Sequence, residues 1–185
     1  MYVITTERLT LRTWQESDLE NMYQINQDSH VMEFFPSKIN KDLTRKFILA
    51  VNSQFDKLGY IFYAVELKKT RVFIGFIGLS FVDFNAHFSP AVEIGWRLAF
   101  EFWNQGYATE GALAVLQHGF NNLNIKKIVS FTAKKNMRSR KVMEKIGLKY
   151  DKKGDFYHPN LDKQHELCLH VLYQFNQADD PLYYI

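Results

Sequence analysis

The stretch Trp103-Asn104-Gln105-Gly106-Tyr107-Ala108-Thr109-Glu110-Gly111 constrains this chain more than any other, because the hydrophobic period changes across it from that of a strand to that of a helix. Before it, Ala91 to Leu98 alternates, with Val92, Ile94, Trp96 and Leu98 on one face and Glu93, Gly95 and Arg97 on the other. After it, small and apolar residues recur from Ala108 through Ala112, Val115, Leu116, Gly119, Phe120 and Leu123 as a single helical stripe. A strand, a tight turn and an amphipathic helix are predicted in that order. The first amides of a helix have no internal partner and carry about half a positive charge, so an anion is held there without a lysine. Gly106 and Ala108 keep the approach clear of bulk. The turn predicts a site for a phosphate-bearing cofactor.

A chain of 185 residues suffices for one full hydrophobic core, and a single domain over 1–185 is expected. Hydrophobic residues at 46% against 23% charged exclude a mainly disordered chain. The 16 Phe and 10 Tyr are a high aromatic share, which predicts a ring-rich core or rings that line a pocket. No basic N-terminal segment leads into an apolar run, and no stretch approaches the ~20 apolar residues of a membrane span. The expectation is a soluble, cytoplasmic protein with no membrane partner. Cys168 is the only cysteine, which excludes an intrachain disulfide and a cysteine metal cluster. The histidines form no HExxH pattern, and no metal is expected.

Charge is unevenly spread. Lys126 to Lys153 holds eleven Lys or Arg against two acids, Glu144 and Asp151, a local balance of +9 in a chain whose net charge is +3. Beside a phosphate turn this favours an anionic cofactor over nucleic acid, although a solvated helix face would read the same way. No GxxxxGK[ST] occurs, so a nucleotide hydrolase is disfavoured.

The remaining elements follow from period and punctuation. Tyr2 to Thr13 reads as a strand, Ser17 to Ile25 as a helix, and Asp28 to Pro36 as a loop or short helix. Lys41 to Leu58 is a helix closed by Gly59, and Tyr60 to Leu67 with Arg71 to Val82 forms a hairpin. Lys126 to Ala133 is a buried strand, Asn136 caps a helix ended by Gly147, and Leu148 to Asp151 and Glu166 to Phe175 are strand-like. The sum is an α/β domain with a mixed sheet.

In that frame the chain resembles the GNAT acetyltransferases, and among them the RimJ/RimL-like branch, over almost its whole length. The resemblance is carried by Glu7-Arg8-Leu9-Thr10-Leu11-Arg12, Val92-Glu93-Ile94-Gly95-Trp96, Trp103 to Glu110, and Asn136-Met137-Arg138-Ser139-Arg140 running to Gly147. It implies the acyl-CoA N-acyltransferase fold, with central strands splayed after Glu93 to admit acetyl-CoA as cosubstrate. Gly106 and Ala108 match the small positions of the Q/R-x-x-G-x-G/A signature, whose first position is Trp103 here. Gln105, Gly106, Tyr107, Ala108 and Thr109 would bind the pyrophosphate; Asn136, Arg138, Ser139 and Arg140, with Lys141, would serve the pantetheine and the adenosine phosphate.

The reaction so implied is direct attack by a primary amine on the thioester. Glu93 is the candidate base, directly or through a water, against a structural role as partner of Arg97; Glu110 reads as a complement to the helix dipole. A backbone amide among Trp96, Arg97 and Leu98 would meet the oxyanion. The family's usual acid, a tyrosine seven residues after the capping asparagine, is Met143 here, which leaves Ser139 as the hydroxyl for the leaving sulfur, against a capping role. Cys168 reads as a small buried residue, and His158, His165 and His170 as structural or as alternative bases. Phe34, Phe35, Tyr63 and Phe81 suggest an aromatic wall. The chain is expected to be an N-acetyltransferase, monomeric or homodimeric, acting on a protein N-terminus or a small-molecule amine. The alternative is a non-catalytic CoA-binding or interaction protein.

Overall fold

The computed structural model describes residues 1–176. The strands are β1 (Tyr2–Thr5), β2 (Leu9–Arg12), β3 (Phe62–Leu67), β4 (Phe73–Val82), β5 (Ala91–Leu98), β6 (Lys127–Ala133), β7 (Lys149–Tyr150), β8 (Phe156–Tyr157) and β9 (Leu169–Asn176). The helices are α1 (Asp18–Gln27), α2 (Lys41–Leu58), α3 (Tyr107–Asn121) and α4 (Met137–Lys145), with one 3-10 turn at Phe100–Phe102. Among the described residues the strands form one mixed sheet in the order β1-β2-β3-β4-β5-β6-β9-β7, with β8 beside β9. Every pairing is antiparallel except β5 with β6. Among the described residues no helix is long and apolar enough to cross a membrane.

Local chemistry accounts for most boundaries. Asn40 caps α2 by accepting the Leu43 amide at 2.8 Å, and Gly59, at φ 76°, turns the chain out of the helix in the left-handed conformation. α3 lies against β4 because Gly111 has no side chain: a Cβ there would sit 2.5 Å from Ile77 Cδ1. On the opposite face of the sheet Trp14 packs against Phe47 of α2 and Phe76 of β4, and its indole donates to the Phe62 carbonyl at 2.6 Å. Ile77, Leu79, Ile94, Val115 and Leu116 are fully buried in the core between α3 and the sheet.

Two expectations need correction. The run read as one strand over Tyr2 to Thr13 is a hairpin, because Thr6 folds back: its amide donates to the Leu9 carbonyl and its hydroxyl accepts the Leu9 amide, both at 2.9 Å. The loop between the last two expected strands contains β8, which pairs Phe156 with His170 and Tyr157 with Leu169.

Candidate functional site

The sheet divides where the parallel pairing runs out. β4 and β5 stay paired from Gly75 and Leu98 to Val82 and Ala91, whereas β5 meets β6 only at Val92 with Ile128 and Glu93 with Val129. Beyond Glu93, β5 leaves β6, which remains paired with β9 along its whole length. The last tie across the fork is the buried Ser130 hydroxyl, donating to the Ile94 carbonyl at 2.8 Å. Ile94 to Leu98 therefore face a gap on one edge, and the gap opens into a cavity of about 710 Å³.

One end of the cavity is the turn into α3. Gly106, at φ 83°, starts the helix with a left-handed residue, and Tyr107, Ala108 and Thr109 line the cavity with it. Trp103 steadies the turn by donating its indole N–H to the Leu98 carbonyl at 2.8 Å. Sequence reading gave no site role to Arg8, yet it braces this turn from behind. Its Nη1 donates to the Gln105 carbonyl at 3.0 Å, its Nε pairs with Glu110 at 2.5 Å, and its guanidinium lies 4.5 Å from the Tyr107 ring centre. Glu110 also accepts the Thr6 hydroxyl at 2.6 Å and the Arg8 amide at 2.9 Å, so it ties the β1–β2 turn to α3 as well as complementing the dipole. The signal for Arg8 was its place in the Glu7–Arg12 segment.

α4 supplies the facing side. Asn136 caps α4 by accepting the Ser139 amide at 3.1 Å and donates to the Thr132 hydroxyl of β6 at 3.0 Å, which engages both ends of its side-chain amide. The Ser139 side chain has no hydrogen-bond partner among the described residues and lines the cavity, whereas Met143 is buried in the core. Arg138, Lys141 and Lys145 line the cavity with it. Arg138 is paired with Glu33 and lies over the Trp103 ring at 5.1 Å, so it spans from α4 to the segment between α1 and α2. Arg140 turns away: it donates to Tyr173 Oη at 3.2 Å and to the Lys134 carbonyl at 3.3 Å, outside the cavity lining. Gln105 also lies outside the lining, its side chain bonded to the Glu101 carbonyl at 2.7 Å.

Glu93, Gly95 and Arg97 share the face of β5 that meets α1 and the segment after it. Glu93 is half-buried at the border of the cavity, and burial pushes its carboxyl up to about 8. It has no ion-pair or hydrogen-bond partner among the described residues, so the pairing with Arg97 considered from sequence is not formed. Arg97 Nη1 instead donates to Asn26 Oδ1 of α1 at 2.7 Å, with its guanidinium over the rings of Phe35 at 4.1 Å and Phe76 at 5.5 Å. Burial lowers it to about 10, which leaves it charged at neutral pH. Trp96 and Leu98 line the same cavity.

The aromatic wall is only half as expected. Phe34 and Phe35 line the cavity, but Tyr63 is fully buried and Phe81 is exposed; Phe62 and Phe76 stand in their place. At the far end His158 and His170 line it with ring centres 4.9 Å apart, among Phe131 and Phe156. Burial lowers both imidazoles, His170 to about 4, so both are neutral at pH 7. His165 is bonded through Nδ1 to the Leu167 amide and lies outside the lining. Cys168 is buried and donates to the Lys163 carbonyl.

Comparison with known proteins places the chain in a family. The profile of the acetyltransferase (GNAT) domain family matches residues 8–149. The chain is 31% identical over 146 residues to the uncharacterized N-acetyltransferase YnaD of Bacillus subtilis (strain 168), a match covering 79% of this chain and 82% of that protein. A GNAT-family acetyltransferase from Bacillus anthracis superposes with a TM-score of 0.77 at 26% identity, over 96% of this chain and 99% of the other. The fold is shared with RimL, a ribosomal L7/L12 alpha-N-protein acetyltransferase solved with coenzyme A, at a TM-score of 0.76 and 17% identity over 97% and 100% of the two chains.

Proposed function

The chain belongs to the acetyltransferase (GNAT) family, and on that premise we propose that it transfers the acetyl group of acetyl-CoA to a primary amine by direct attack. The observation that carries this reading is the fork after Glu93, which brings a slot, a helix N-terminus and a half-buried carboxylate into one cavity.

The residues present suit the cosubstrate. The α3 turn offers unpartnered amides beside Gly106, where an added Cβ would come within 3.3 Å of the Arg8 guanidinium. Arg138, Lys141 and Lys145 add cations for the remaining phosphates, a role Arg140 is too far turned to share. When bound, acetyl-CoA supplies the acetyl group as an activated thioester. Glu93, once ionised, takes the proton that the amine loses, directly or through a water. A backbone amide among Trp96, Arg97 and Leu98 meets the developing oxyanion, and the unpartnered Ser139 hydroxyl is available to the departing sulfur. The hydroxyl stabilises that sulfur by hydrogen bonding, since serine is a weak acid.

The acceptor is a small amine or a protein N-terminus. A thermal-shift assay with acetyl-CoA, followed by mass spectrometry on amine and peptide libraries, tests the whole reading. Acetyl-CoA at ~100 times its Kd should add about 2.7 kcal/mol, and at least one amine should gain an acetyl group. Stabilisation with no acetylated product from either library would refute catalysis and favour a CoA-binding protein; no stabilisation would refute the cosubstrate.

A further inference from the structure

The acceptor half of the cavity is polarised along one strand face. Glu93 and Arg97 lie four residues apart on β5, a Cα separation of about 13 Å, with Gly95 between them on that face and the Phe62 ring over it, 3.1 Å from where a Cβ would be. The Glu93 carboxylate leans inward over Gly95, where its Oε1 lies 3.8 Å from the position a Cβ would take. No ion pair joins the two charges. Around them stand Phe35, Phe62 and Phe76, and Glu93 is the one acidic side chain in the described lining.

Arg97 is the unusual member. Asn26 takes its Nη1, while Nε is buried with no partner and Nη2 has none among the described residues. Nε and Nη2 form one edge of the guanidinium, the edge that grips a carboxylate through two parallel hydrogen bonds. Arg97 as a whole is half-buried, but its Nε proton is shut off from water without an acceptor, which is costly unless something fills that edge. The cations suited to phosphate are elsewhere, on α4 and behind the α3 turn, whereas Arg97 is packed against Phe76 of β4 and Asn26 of α1.

Resting on the acetyltransferase reading above, we propose that Arg97 binds a carboxylate of the acceptor, which makes the acceptor a small amino acid: amine toward Glu93, carboxylate on Arg97, and an apolar side chain against Phe35, Phe62 and Phe76. Polycations such as polyamines are disfavoured because a single carboxylate meets them. A protein N-terminus is disfavoured because its first residue has an amide where the carboxylate would be.

The test compares acceptors in matched sets, with acetyl-CoA as donor: apolar L-amino acids, their carboxamides, their decarboxylated amines, spermidine, and short peptides. For wild type, kcat/KM for the amino acid should exceed that for its carboxamide and decarboxylated amine by about ten- to a hundredfold, as for a charge-assisted pair. In Arg97→Met that ratio should fall to about one; in Arg97→Lys, which keeps the charge and loses the fork, it should fall to an intermediate value. The deaminated acid 3-phenylpropionate should raise the melting temperature of wild type and not of Arg97→Met. Equal or better use of the carboxamides, amines or peptides by wild type, or a ratio unchanged in Arg97→Met, overturns the proposal and leaves acetyl transfer standing. Transfer to no amine at all removes the acetyltransferase reading itself.

Discussion

Glu93 is held between two requirements. Burial keeps its carboxyl protonated until about pH 8, yet only the ionised form accepts a proton from an amine. The rate of acetyl transfer should therefore rise with pH through about 8, and Glu93→Gln should lose that limb with about a hundredfold fall in kcat. A pH profile of the variant that still rises through the same midpoint would assign the limb to another group. Stability carries the same signature. The folded value of about 8 lies above the ordinary 4.5, so the folded state holds the extra proton between them and loses stability as pH rises through that window. The melting temperature of Glu93→Gln relative to wild type should accordingly climb from pH 5 to 8; a constant difference would contradict the burial. His170 works in the opposite sense: its contribution is full above its ordinary 6.5 and is lost as pH falls through about 4. At this scale the sequence disclosed residue types better than directions. Glu93 was legible because β5 alternates, whereas β3 and β4 are buried on both faces and gave no alternation to separate Phe62 from Tyr63 or Phe76 from Phe81.

At the scale of elements, α1 is fixed to the sheet by a buried ion cluster. Arg12 of β2 grips Asp18 at the start of α1 through Nη1 and Nη2, both at 2.7 Å, and reaches Glu66 of β3 through Nε at 2.7 Å. Arg12→Met would strand two carboxylates away from water and should cost about 3–5 kcal/mol, measured by urea denaturation. A loss below about 1 kcal/mol would mean that water or a shifted side chain replaces the guanidinium. Because α1 also supplies Asn26 to Arg97, the cluster sets where the Arg97 side of the cavity stands. Helix α2 was readable to its ends, since Asn40 and Gly59 act locally. The β1–β2 turn was not, because its reason is remote: Thr6 and Arg8 are held by Glu110, about a hundred residues along the chain.

Over the whole molecule, six of the eleven cations from Lys126 to Lys153 fall into two sets by placement. Arg138, Lys141 and Lys145 face the cavity, while Lys134, Lys135 and Arg140 are engaged with Asp155, Glu166 and Tyr173 outside it. The cavity-facing cations are partly open to solvent, so acetyl-CoA binding should weaken about tenfold between roughly 0.05 and 0.5 M salt in a calorimetric titration. An affinity independent of salt would mean that the α3 amides hold the phosphates unaided. Net charge gave the sign of this surface but not its division, which depends on where the sheet forks. That fork has a mechanical consequence. Among the described residues two residue pairs and the Ser130 hydroxyl form the hydrogen-bonded seam between β5 and β6, a narrow line about which the two leaves of the sheet can hinge. A small change of angle at that seam is multiplied by lever arm at the distant mouth, so the gape of the slot is set at its narrow end, beside Glu93 and Ser130.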